Sequence, residues 1–385
     1  MSQLIYKRDA IAKVRRLVVK IGSAVISDAE GLRADVIEQI ALQVDSIVRD
    51  GREVVLVTSG AVAAGRARLS LLKRGASIAA RQAEAAVGQI ELMATYSKYF
   101  AAHDRHDRIV AQILLTHQDL AERKRRLNAR QTIETLLGAG VIPIVNENDT
   151  VAVEEIRLGD NDVLSSLVAT LIQADLLVIL SDVPGVLTGD PRKRSDARLI
   201  PLIADPEAEM RGLVAESAGP LGSGGMATKL KAARQAASAG IPVMIASGRD
   251  SGVLLNALDP ARECGTLILP GRARMKGHKH WIAFALRPAG TLELDRGAAE
   301  ALRVKGKSLL ASGIRGVQGD FLSGDCVSLL DQDGVEFGRG LVNYPSADVL
   351  KVKGRHSYEI PRVLGYKVAD EIVHRDNFVL LEDLA

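Results

Sequence analysis

The segment 146–166, NENDTVAVEEIRLGDNDVLSS, concentrates carboxylates and amides at two nearby points of the chain. One point is the run from Asn146 to Asp149, and the other is the triplet Asp160, Asn161 and Asp162. The triplet precedes an amphipathic pattern, but capping a helix requires one side chain and three stand in a row. We interpret both points as one site that binds a cationic substrate group, such as an α-ammonium, and orients lysines beside phosphate. The alternative is a helix cap plus a solvated loop.

Two lysines are candidates for contact with that phosphate. Lys20 lies within LVVKIG, where an apolar residue is expected, and a lysine is rarely buried without a partner. An anionic ligand would satisfy it, whereas the alternative is an exposed lysine on an edge strand. Lys229 ends GPLGSGGMATK, residues 219–229, in which three glycines let the backbone approach a phosphate ahead of a predicted helix. A plain flexible loop is the alternative for that segment.

Paired lysines, a glycine-rich loop and the lack of a His or Cys nucleophile indicate phosphoryl transfer, which depends on positioning and charge neutralisation. The excess of acid also suits a Mg²⁺-nucleotide. Other motifs are weaker. Gly306-Lys307-Ser308 is no Walker A loop because Ala301 stands in the place of its first glycine. His374-Arg375-Asp376 resembles a kinase triplet only by chance, and His103 with His106 indicates a solvated turn rather than a metal site.

The elements that position these residues form an alternating pattern up to about residue 270. Continuous apolar runs of this kind suit parallel strands covered on both faces, at 16–22, 53–60, 109–115, 141–149, 176–182 and 241–247. Helical patterns lie between them, for example at 35–51 and 162–175. The sequence therefore predicts an α/β domain with a doubly wound, mainly parallel sheet.

Several predicted strands end in polar, charged or glycine residues that could bind a ligand. In open α/β sheets, ligands bind at the carboxyl ends of strands. These residues are Lys20, Gly22 and Ser23 after the first strand, Thr58, Ser59, Gly60 and Ala61 after the second, the acidic run after the fourth, and Ser181 and Asp182 after the fifth. Gly, Ser and Asp end many strands, but their coincidence at one sheet edge favours a binding site.

After about residue 270 the sequence pattern changes from alternating strands and helices to short strand-like runs. We predict an α/β domain over 1–270, a basic linker over 271–287, a small mostly-β domain over 288–366 and a tail over 367–385. The small domain contains short strand-like runs, TLEL, SLL, CVSLL and GVEFGRGLV, separated by Gly and Asp.

Composition favours a cytoplasmic enzyme. Of 385 residues, 47% are hydrophobic and 25% charged, and 50 basic against 47 acidic residues give a net charge of +3. This balance gives no global attraction to nucleic acid or to an anionic membrane. The two cysteines, Cys264 and Cys326, are far apart and make neither a disulfide framework nor a metal motif. No run reaches the roughly 18 apolar residues of a membrane helix, and Lys20 with Gly22 interrupts the N-terminal apolar stretch.

The motifs as a set resemble the glutamate 5-kinases, which have the amino acid kinase fold. The segments that carry the resemblance, in order and spacing over nearly the whole chain, are LVVKIGSAVI, VTSGAVAAGR, AQILLTHQDL, RLNARQTIETLL, VIPIVNENDTVA, GDNDVLSSLVA, LSDVPGVLTGDPR and PLGSGGMATKL. The C-terminal module resembles a PUA domain. The sequence departs slightly from the family motifs at Ser23-Ala24, Gly189, Ser223 and Ala227. These differences leave the charged groups intact.

The resemblance implies phosphorylation of the γ-carboxylate of L-glutamate by ATP with Mg²⁺, the first step toward proline, with no direct protein ligand to the metal. The implied catalytic residues are Lys20, Lys229 and Asp162, the aspartate holding both lysines. The implied glutamate-binding residues are Ser59, Gly60, Ala61, Asn146, Asn148, Asp149, Asp160 and Asn161. The implied ATP-binding residues are Lys20, Gly22, Ser181, Asp182, Ser223, Gly224, Gly225, Met226, Ala227, Thr228 and Lys229. The resemblance also implies that the protein forms a homo-oligomer, either a dimer or a tetramer. It further implies glutamyl phosphate reductase as a partner.

Three alternatives stay open. Acetylglutamate kinase and aspartokinase are the nearest, although acetylglutamate has no α-ammonium to explain so acidic a site, and aspartokinases usually carry ACT modules. RNA binding by the PUA-like module is disfavoured, because 11 basic against 10 acidic residues over 287–365 leave a net charge of only +1. The third alternative makes the module an oligomerisation or regulatory appendage. Proline is the feedback inhibitor that the resemblance implies.

Overall fold

We describe a computed structural model of the chain over residues 3–69, 77–101, 108–151, 160–191, 194, 196–206, 208–210, 225–270 and 277–381. The chain divides into two compact units, Met1–Arg274 and Met275–Ala385. Within the described ranges, no helix is both long enough and apolar enough to cross a membrane.

The first unit is built on an eight-stranded sheet in the order β5-β6-β4-β1-β7-β9-β10-β8. Every neighbouring pair is parallel except β9 and β10, which are antiparallel. The prediction of a doubly wound, mainly parallel α/β sheet is confirmed. The strands are β1 Arg16–Ile21, β4 Glu53–Thr58, β5 Val110–Leu115, β6 Ile142–Glu147, β7 Leu176–Ser181, β8 Leu202–Ile203, β9 Val243–Ser247 and β10 Thr266–Ile268, and a short ribbon pairs β2 Ser27–Asp28 with β3 Gly31–Leu32.

Helices accompany this sheet, and their apolar faces supply its core. On α3, Ile37, Ile40, Val44 and Ile47 recur at helical spacing and are fully buried, each stabilising the fold by about 2 kcal/mol. The helices are α1 Gln3–Ile11, α2 Ser23–Ile26, α3 Ala34–Arg49, α4 Ala61–Arg68, α5 Ile78–Ala101, α6 His117–Ala121, α7 Arg123–Gly138, α8 Asp160–Leu171, α9 Met226–Ser238 and α10 Val253–Leu258.

Helix ends follow local chemistry more closely than the apolar pattern. The predicted helix 35–51 is α3, which is followed by Gly51 at φ +83°, a conformation that suits glycine past a helix end. The predicted helix 162–175 is α8, which begins two residues earlier and ends at Leu171. Gln173 then adopts a left-handed conformation, φ +52°, so the chain turns toward β7 before the apolar pattern ends.

Strand order creates a crevice at the carboxyl end of β1. Because β4 lies on one side of β1 and β7 on the other, the connections that leave this part of the sheet go in opposite directions. Ligands of open α/β folds bind at such a switch point. Gly22 follows β1, Ser59 follows β4, and Ser181 ends β7, so the predicted strand-end residues meet at this edge.

The second unit contains a five-stranded sheet in the order β12-β11-β13-β14-β15. Its strands are β11 Gly290–Leu294, β12 Ile314–Gly319, β13 Cys326–Leu330, β14 Glu336–Val342 and β15 Val373–Leu380, and its helices are α11 Gly277–Phe284, α12 Arg296–Arg303, α13 Ser346–Val352 and α14 Ile360–Leu364. An apolar cluster that includes Leu292, Leu329, Phe337 and Val373 forms its core. A mostly-β second module was predicted and is present.

Three segments of this unit differ from the sequence-based description. The SLL run, 308–310, is not a ladder strand, because only Leu309 makes an isolated bridge, to Val373. Residues 367–385, expected to be a tail, include β15, whose Phe378 and Val379 are buried and which pairs with β14. Residues 271–287, expected to be a linker, include α11, whose Trp281 and Ile282 are buried.

Candidate functional site

Lys20 lies one residue before the end of β1, in the middle of the sheet. It pairs in register with Val57 of β4 and Ile179 of β7, and only 5% of its surface is exposed. The edge-strand alternative for this lysine is therefore wrong. A Cβ at Gly22 would lie 3.5 Å from Lys20 Nζ and 3.3 Å from the Leu180 carbonyl oxygen, so glycine leaves the space beside the ammonium open.

Asp162 joins the two lysines. Its Oδ1 lies 2.6 Å from Lys20 Nζ, an ion pair by distance without the alignment of a hydrogen bond. Its Oδ2 lies 3.4 Å from Lys229 Nζ and accepts a hydrogen bond from Thr228 Oγ1 at 2.7 Å. The Asp162 side chain is completely buried, and those of Lys20 and Lys229 are nearly so.

The charges in this group do not balance. Among these three side chains one carboxylate faces two ammonium groups, from β1 and α9, and Asp182 adds a weaker attraction to Lys20. Burial lowers the pKa of Lys20, with repulsion by Lys229 acting in the same direction and attraction by Asp162 opposing both. An anion bound beside Lys20 and Lys229 would relieve this imbalance.

The amino terminus of α9 provides further donors for an anion. Gly225, which has no side chain with which to cap the helix, precedes the 13-residue helix in an extended conformation. The single hydroxyl hydrogen of Thr228 is shared between the Gly225 carbonyl oxygen at 2.8 Å and Asp162 Oδ2 at 2.7 Å. Met226 and Ala227 occupy the first turn, where backbone N–H groups and the helix dipole favour negative charge. Ser223 and Gly224, also predicted here, lie outside the described residues.

The amide of Asn161 joins the carboxyl ends of β4 and β6. Asn161 Nδ2 donates to the Thr58 carbonyl oxygen at 3.0 Å, to Ser59 Oγ at 2.9 Å and to Asn146 Oδ1 at 3.0 Å, so its two hydrogens are shared among three acceptors. Asn161 Oδ1 is buried and accepts no hydrogen bond within the described ranges. The structure thus brings together Ser59, Asn146 and Asn161 as predicted.

Asp149 provides a carboxylate at the same edge of the sheet, two residues beyond β6. Burial raises its pKa to about 6, because the charged form loses solvation. Its neighbour Asn148 accepts a hydrogen bond from Thr150 Oγ1 at 2.6 Å, and its backbone N–H is held by the Leu115 carbonyl oxygen. A cation would favour the ionised form of Asp149 and lower its pKa.

The remaining predicted residues occupy the surrounding loops and helix ends. Gly60 adopts φ +106°, which favours glycine, and Ala61 then begins α4. Ser181 ends β7 and donates from Oγ to Asp182 Oδ1 at 3.2 Å. Asp160 is the first residue of α8. Within the described ranges, no group of three or more His, Cys, Asp or Glu side chains could hold a metal ion.

Sequence reasoning missed two buried side chains on α5. Tyr96 OH is hydrogen-bonded to Thr58 Oγ1 at 2.9 Å, and Gln89 Oε1 accepts from Asn146 Nδ2 at 2.8 Å. Both residues are buried and lie beneath site residues that are 38 and 57 positions away. A polar residue within the apolar face of a long helix was the only available signal.

Comparison with known proteins gives the same domain order. The sequence matches the amino acid kinase family over residues 15–247 and the PUA domain over residues 290–364. It is similar to the glutamate 5-kinase of Pelobacter propionicus, 46% identical over 376 residues that cover 97% of this chain and 100% of that protein. It is also similar to those of Geobacter sulfurreducens, 48% identical and covering 96% and 99% of the two chains, and Thermus thermophilus, 49% identical and covering 96% and 98%.

Proposed function

The chain belongs to the glutamate 5-kinases of the amino acid kinase family, and on that premise we propose that it phosphorylates the γ-carboxylate of L-glutamate with ATP. The product is γ-glutamyl phosphate, the activated acid from which proline synthesis begins. The observation that carries the proposal is the Lys20–Asp162–Lys229 group at the switch point of the sheet.

The chemistry needs little from the protein beyond charge and position. A γ-carboxylate oxygen attacks the γ-phosphorus, a new O–P bond forms, and the bond to the β,γ-bridging oxygen breaks as ADP leaves with that electron pair. The attacking carboxylate is already ionised, so no general base is required. Lys20 and Lys229 neutralise the developing charge, with a contribution of about 3 kcal/mol for each well-placed donor. Asp162 holds both ammonium groups in place between reactions.

The nucleotide would be held by the carboxyl end of β7 and the amino terminus of α9. We assign phosphate contacts to the backbone of Gly225, Met226 and Ala227 and to the Thr228 hydroxyl, and nucleotide contacts to Ser181 and Asp182. Mg²⁺ would add positive charge at the phosphates beside that of Lys20 and Lys229, which Asp162 and Asp182 partly offset. Gly22 leaves room for a phosphate oxygen next to Lys20.

Glutamate would be held on the β4 and β6 side of the site. Asp149 pairs with the α-ammonium, and Asn161 Oδ1, which has no partner within the described ranges, accepts one of its hydrogens. Ser59 and the backbone of Gly60 and Ala61 bind carboxylate oxygens, with Asn146, Asn148 and Asp160 as further contacts. A desolvated carboxylate supports glutamate over N-acetylglutamate, because the acetylated nitrogen carries no charge.

Further parts of the proposal concern the setting of the enzyme. We propose a cytoplasmic homo-oligomer that passes its acyl phosphate to glutamyl phosphate reductase. The second unit then serves assembly or regulation, and RNA binding is its alternative.

The proposal is tested by trapping the acyl phosphate with hydroxylamine. Purified protein with ATP and Mg²⁺ is expected to form γ-glutamyl hydroxamate from L-glutamate, and none from L-aspartate or N-acetylglutamate. Omission of ATP gives the background. If folded protein that binds ATP makes no hydroxamate from glutamate, the assignment is wrong, and turnover of N-acetylglutamate or aspartate would identify one of the sister kinases instead.

A further inference from the structure

Gln89 on α5 has a buried side-chain amide, 9% exposed, and is not among the site residues that the sequence predicts. Its Oε1 accepts a hydrogen bond from Asn146 Nδ2 at 2.8 Å. Asn146 Oδ1 in turn accepts from Asn161 Nδ2 at 3.0 Å. Three side-chain amides from α5, β6 and α8 are therefore connected in a single chain of hydrogen bonds.

Backbone groups determine which way two of these amides face. The Glu147 backbone N–H donates to the Asn146 side-chain oxygen at 2.9 Å, and the Thr58 carbonyl oxygen accepts from the Asn161 side-chain nitrogen at 3.0 Å. An N–H can only donate and a carbonyl can only accept, so neither amide can be flipped without losing its backbone partner. The Asn146 nitrogen must then face α5, where Gln89 supplies an acceptor.

The fixed orientation of these amides determines which atom of Asn161 remains available to a ligand. With its nitrogen committed to three acceptors, Asn161 presents only Oδ1 for a further bond, and that buried oxygen has no partner within the described ranges. A buried acceptor without a donor is costly, and a substrate that brings an N–H group removes that cost. The α-ammonium of an amino acid is such a group.

The backbone of α5 is held close to the site, so Gln89 cannot easily move away. A Cβ at Gly88 would lie 1.8 Å from the Ala61 carbonyl oxygen, which shows how closely α5 packs against the start of α4. Seven residues after Gln89, Tyr96 OH is hydrogen-bonded to Thr58 Oγ1 at the end of β4. Helix α5 thus contacts the site on both sides of Gln89.

We propose that Gln89 is a positioning residue: it accepts from the Asn146 amide nitrogen in the orientation that the Glu147 backbone N–H selects. It thereby holds Asn146 Oδ1 against Asn161 Nδ2 and keeps Asn161 Oδ1 available to the α-ammonium of the substrate. This inference rests on the proposed function, because it takes glutamate to be the ligand of the site. Gln89 touches neither the reacting atoms nor the nucleotide in this account, so its loss acts on substrate recognition rather than on phosphoryl transfer.

The test is Gln89→Met, which keeps the side-chain length and removes the acceptor. We expect the KM for glutamate to rise about tenfold, as for loss of one buried hydrogen bond, with the KM for ATP unchanged. Gln43→Met is the matched control, because Gln43 is also buried, accepts from the Leu254 backbone N–H on another part of the unit, and should lower the melting temperature without changing either KM. Equal changes in both KM values for Gln89→Met, or no change, would overturn the inference.

Two further measurements separate positioning from packing. Gln89→Glu retains an acceptor toward Asn146 and is expected to restore most of the affinity for glutamate. The preference for L-glutamate over glutarate, which lacks the ammonium, is expected to fall about tenfold in Gln89→Met and to stay at the wild-type value in Gln43→Met. An unchanged preference in Gln89→Met contradicts the inference. If wild-type protein forms no hydroxamate from glutamate, the proposed function itself fails, which is a separate result.

Discussion

The two units of this chain differ in what they bury. Among the described residues, every buried charged side chain lies in the first unit: Lys7, Lys20, Asp45, Glu84, Asp162 and Lys229. The second unit buries two serines, Ser328 and Ser346, around an otherwise apolar core. Burying charge costs free energy unless the charge is paired or has a task. Among the described residues, the cost of burying charge therefore falls on the first unit, which also holds the candidate site.

Two buried aspartates of the first unit, Asp45 and Asp162, have different surroundings. Asp45 on α3 is buried between two arginines, with Oδ2 at 2.7 Å from Arg49 and Oδ1 at 2.9 Å from Arg108, both of which are partly exposed to solvent. Asp162 is buried between two lysines that are themselves buried. The first arrangement stabilises the fold of the domain surface, while the second keeps positive charge away from water at the switch point of the sheet.

The largest expected effect is that of Asp162→Asn. Without the carboxylate the two ammonium groups repel each other and lose their positions, so we expect kcat to fall on the order of 10²-fold to 10³-fold. Asp45→Asn is the matched control and should lower the melting temperature while leaving kcat unchanged. The measurement is steady-state hydroxamate formation beside a thermal unfolding curve for each variant. Comparable losses of kcat in both variants would remove the distinction drawn between the two aspartates.

The next effect concerns Asp149, whose pKa burial raises to about 6. Loss of its charge-assisted contact in Asp149→Asn should raise the KM for glutamate about 10-fold to 100-fold. In wild type the KM for glutamate should also rise as the pH falls below about 6, because the protonated carboxyl no longer attracts the ammonium. A KM–pH profile for both proteins checks this, and a wild-type profile that is flat through pH 6 would contradict it.

For stability, we expect the Asp149 carboxylate to have the opposite effect, because its charge helps substrate binding but destabilises the fold. The folded protein binds the Asp149 proton more tightly than the unfolded chain, so stability falls as the pH rises from the ordinary pKa of 3.8 to about 6 and stays lower above it. Asp149→Asn should therefore raise the free energy of unfolding near neutral pH by about 1–3 kcal/mol and have little effect in acid. Chemical denaturation at the two pH values measures this difference. A variant that is no more stable than wild type at neutral pH would contradict the assigned burial cost.

The smallest effect is expected in the second unit. Arg303 lies 2.9 Å from Asp331 and stacks on Phe337 at 4.2 Å from the ring centre. Arg303→Met should lower the free energy of unfolding by about 1 kcal/mol and leave kcat and both KM values unchanged. Denaturation followed beside turnover tests this, and a change in either KM would show that the two units are coupled energetically.

Much of the fold and of the site could be predicted from local sequence. The apolar runs of β1, β4, β6, β7 and β9 are long, continuous and bounded by turn residues, and their ends carry the polar residues that the site uses. Lys20 was recognisable because a lysine contradicts its apolar surroundings. Asp162 and Lys229 lie on helices that begin at the same edge, so their convergence follows from parallel topology.

What could not be predicted depends on packing between distant segments. Gln89 and Tyr96 meet the site only because Gly65 and Gly88 let α4 and α5 approach so closely that a Cβ at either glycine would collide with the backbone of the other helix. No periodicity in the sequence reports such an approach. The same holds for β15, whose strand character depends on its pairing with β14.

The most direct test compares two buried lysines. Lys20 is paired with Asp162 at the switch point, whereas Lys7 on α1 donates to the carbonyl oxygens of Asn256 at 2.7 Å and Arg262 at 2.5 Å. Burial lowers the pKa of both. We would measure ATP-dependent γ-glutamyl hydroxamate formation by Lys20→Met and Lys7→Met. We expect Lys20→Met to be folded and nearly inactive, and Lys7→Met to be less stable but to retain its kcat. If Lys20→Met turned over at the wild-type rate, the assignment of Lys20 to phosphoryl transfer would be wrong.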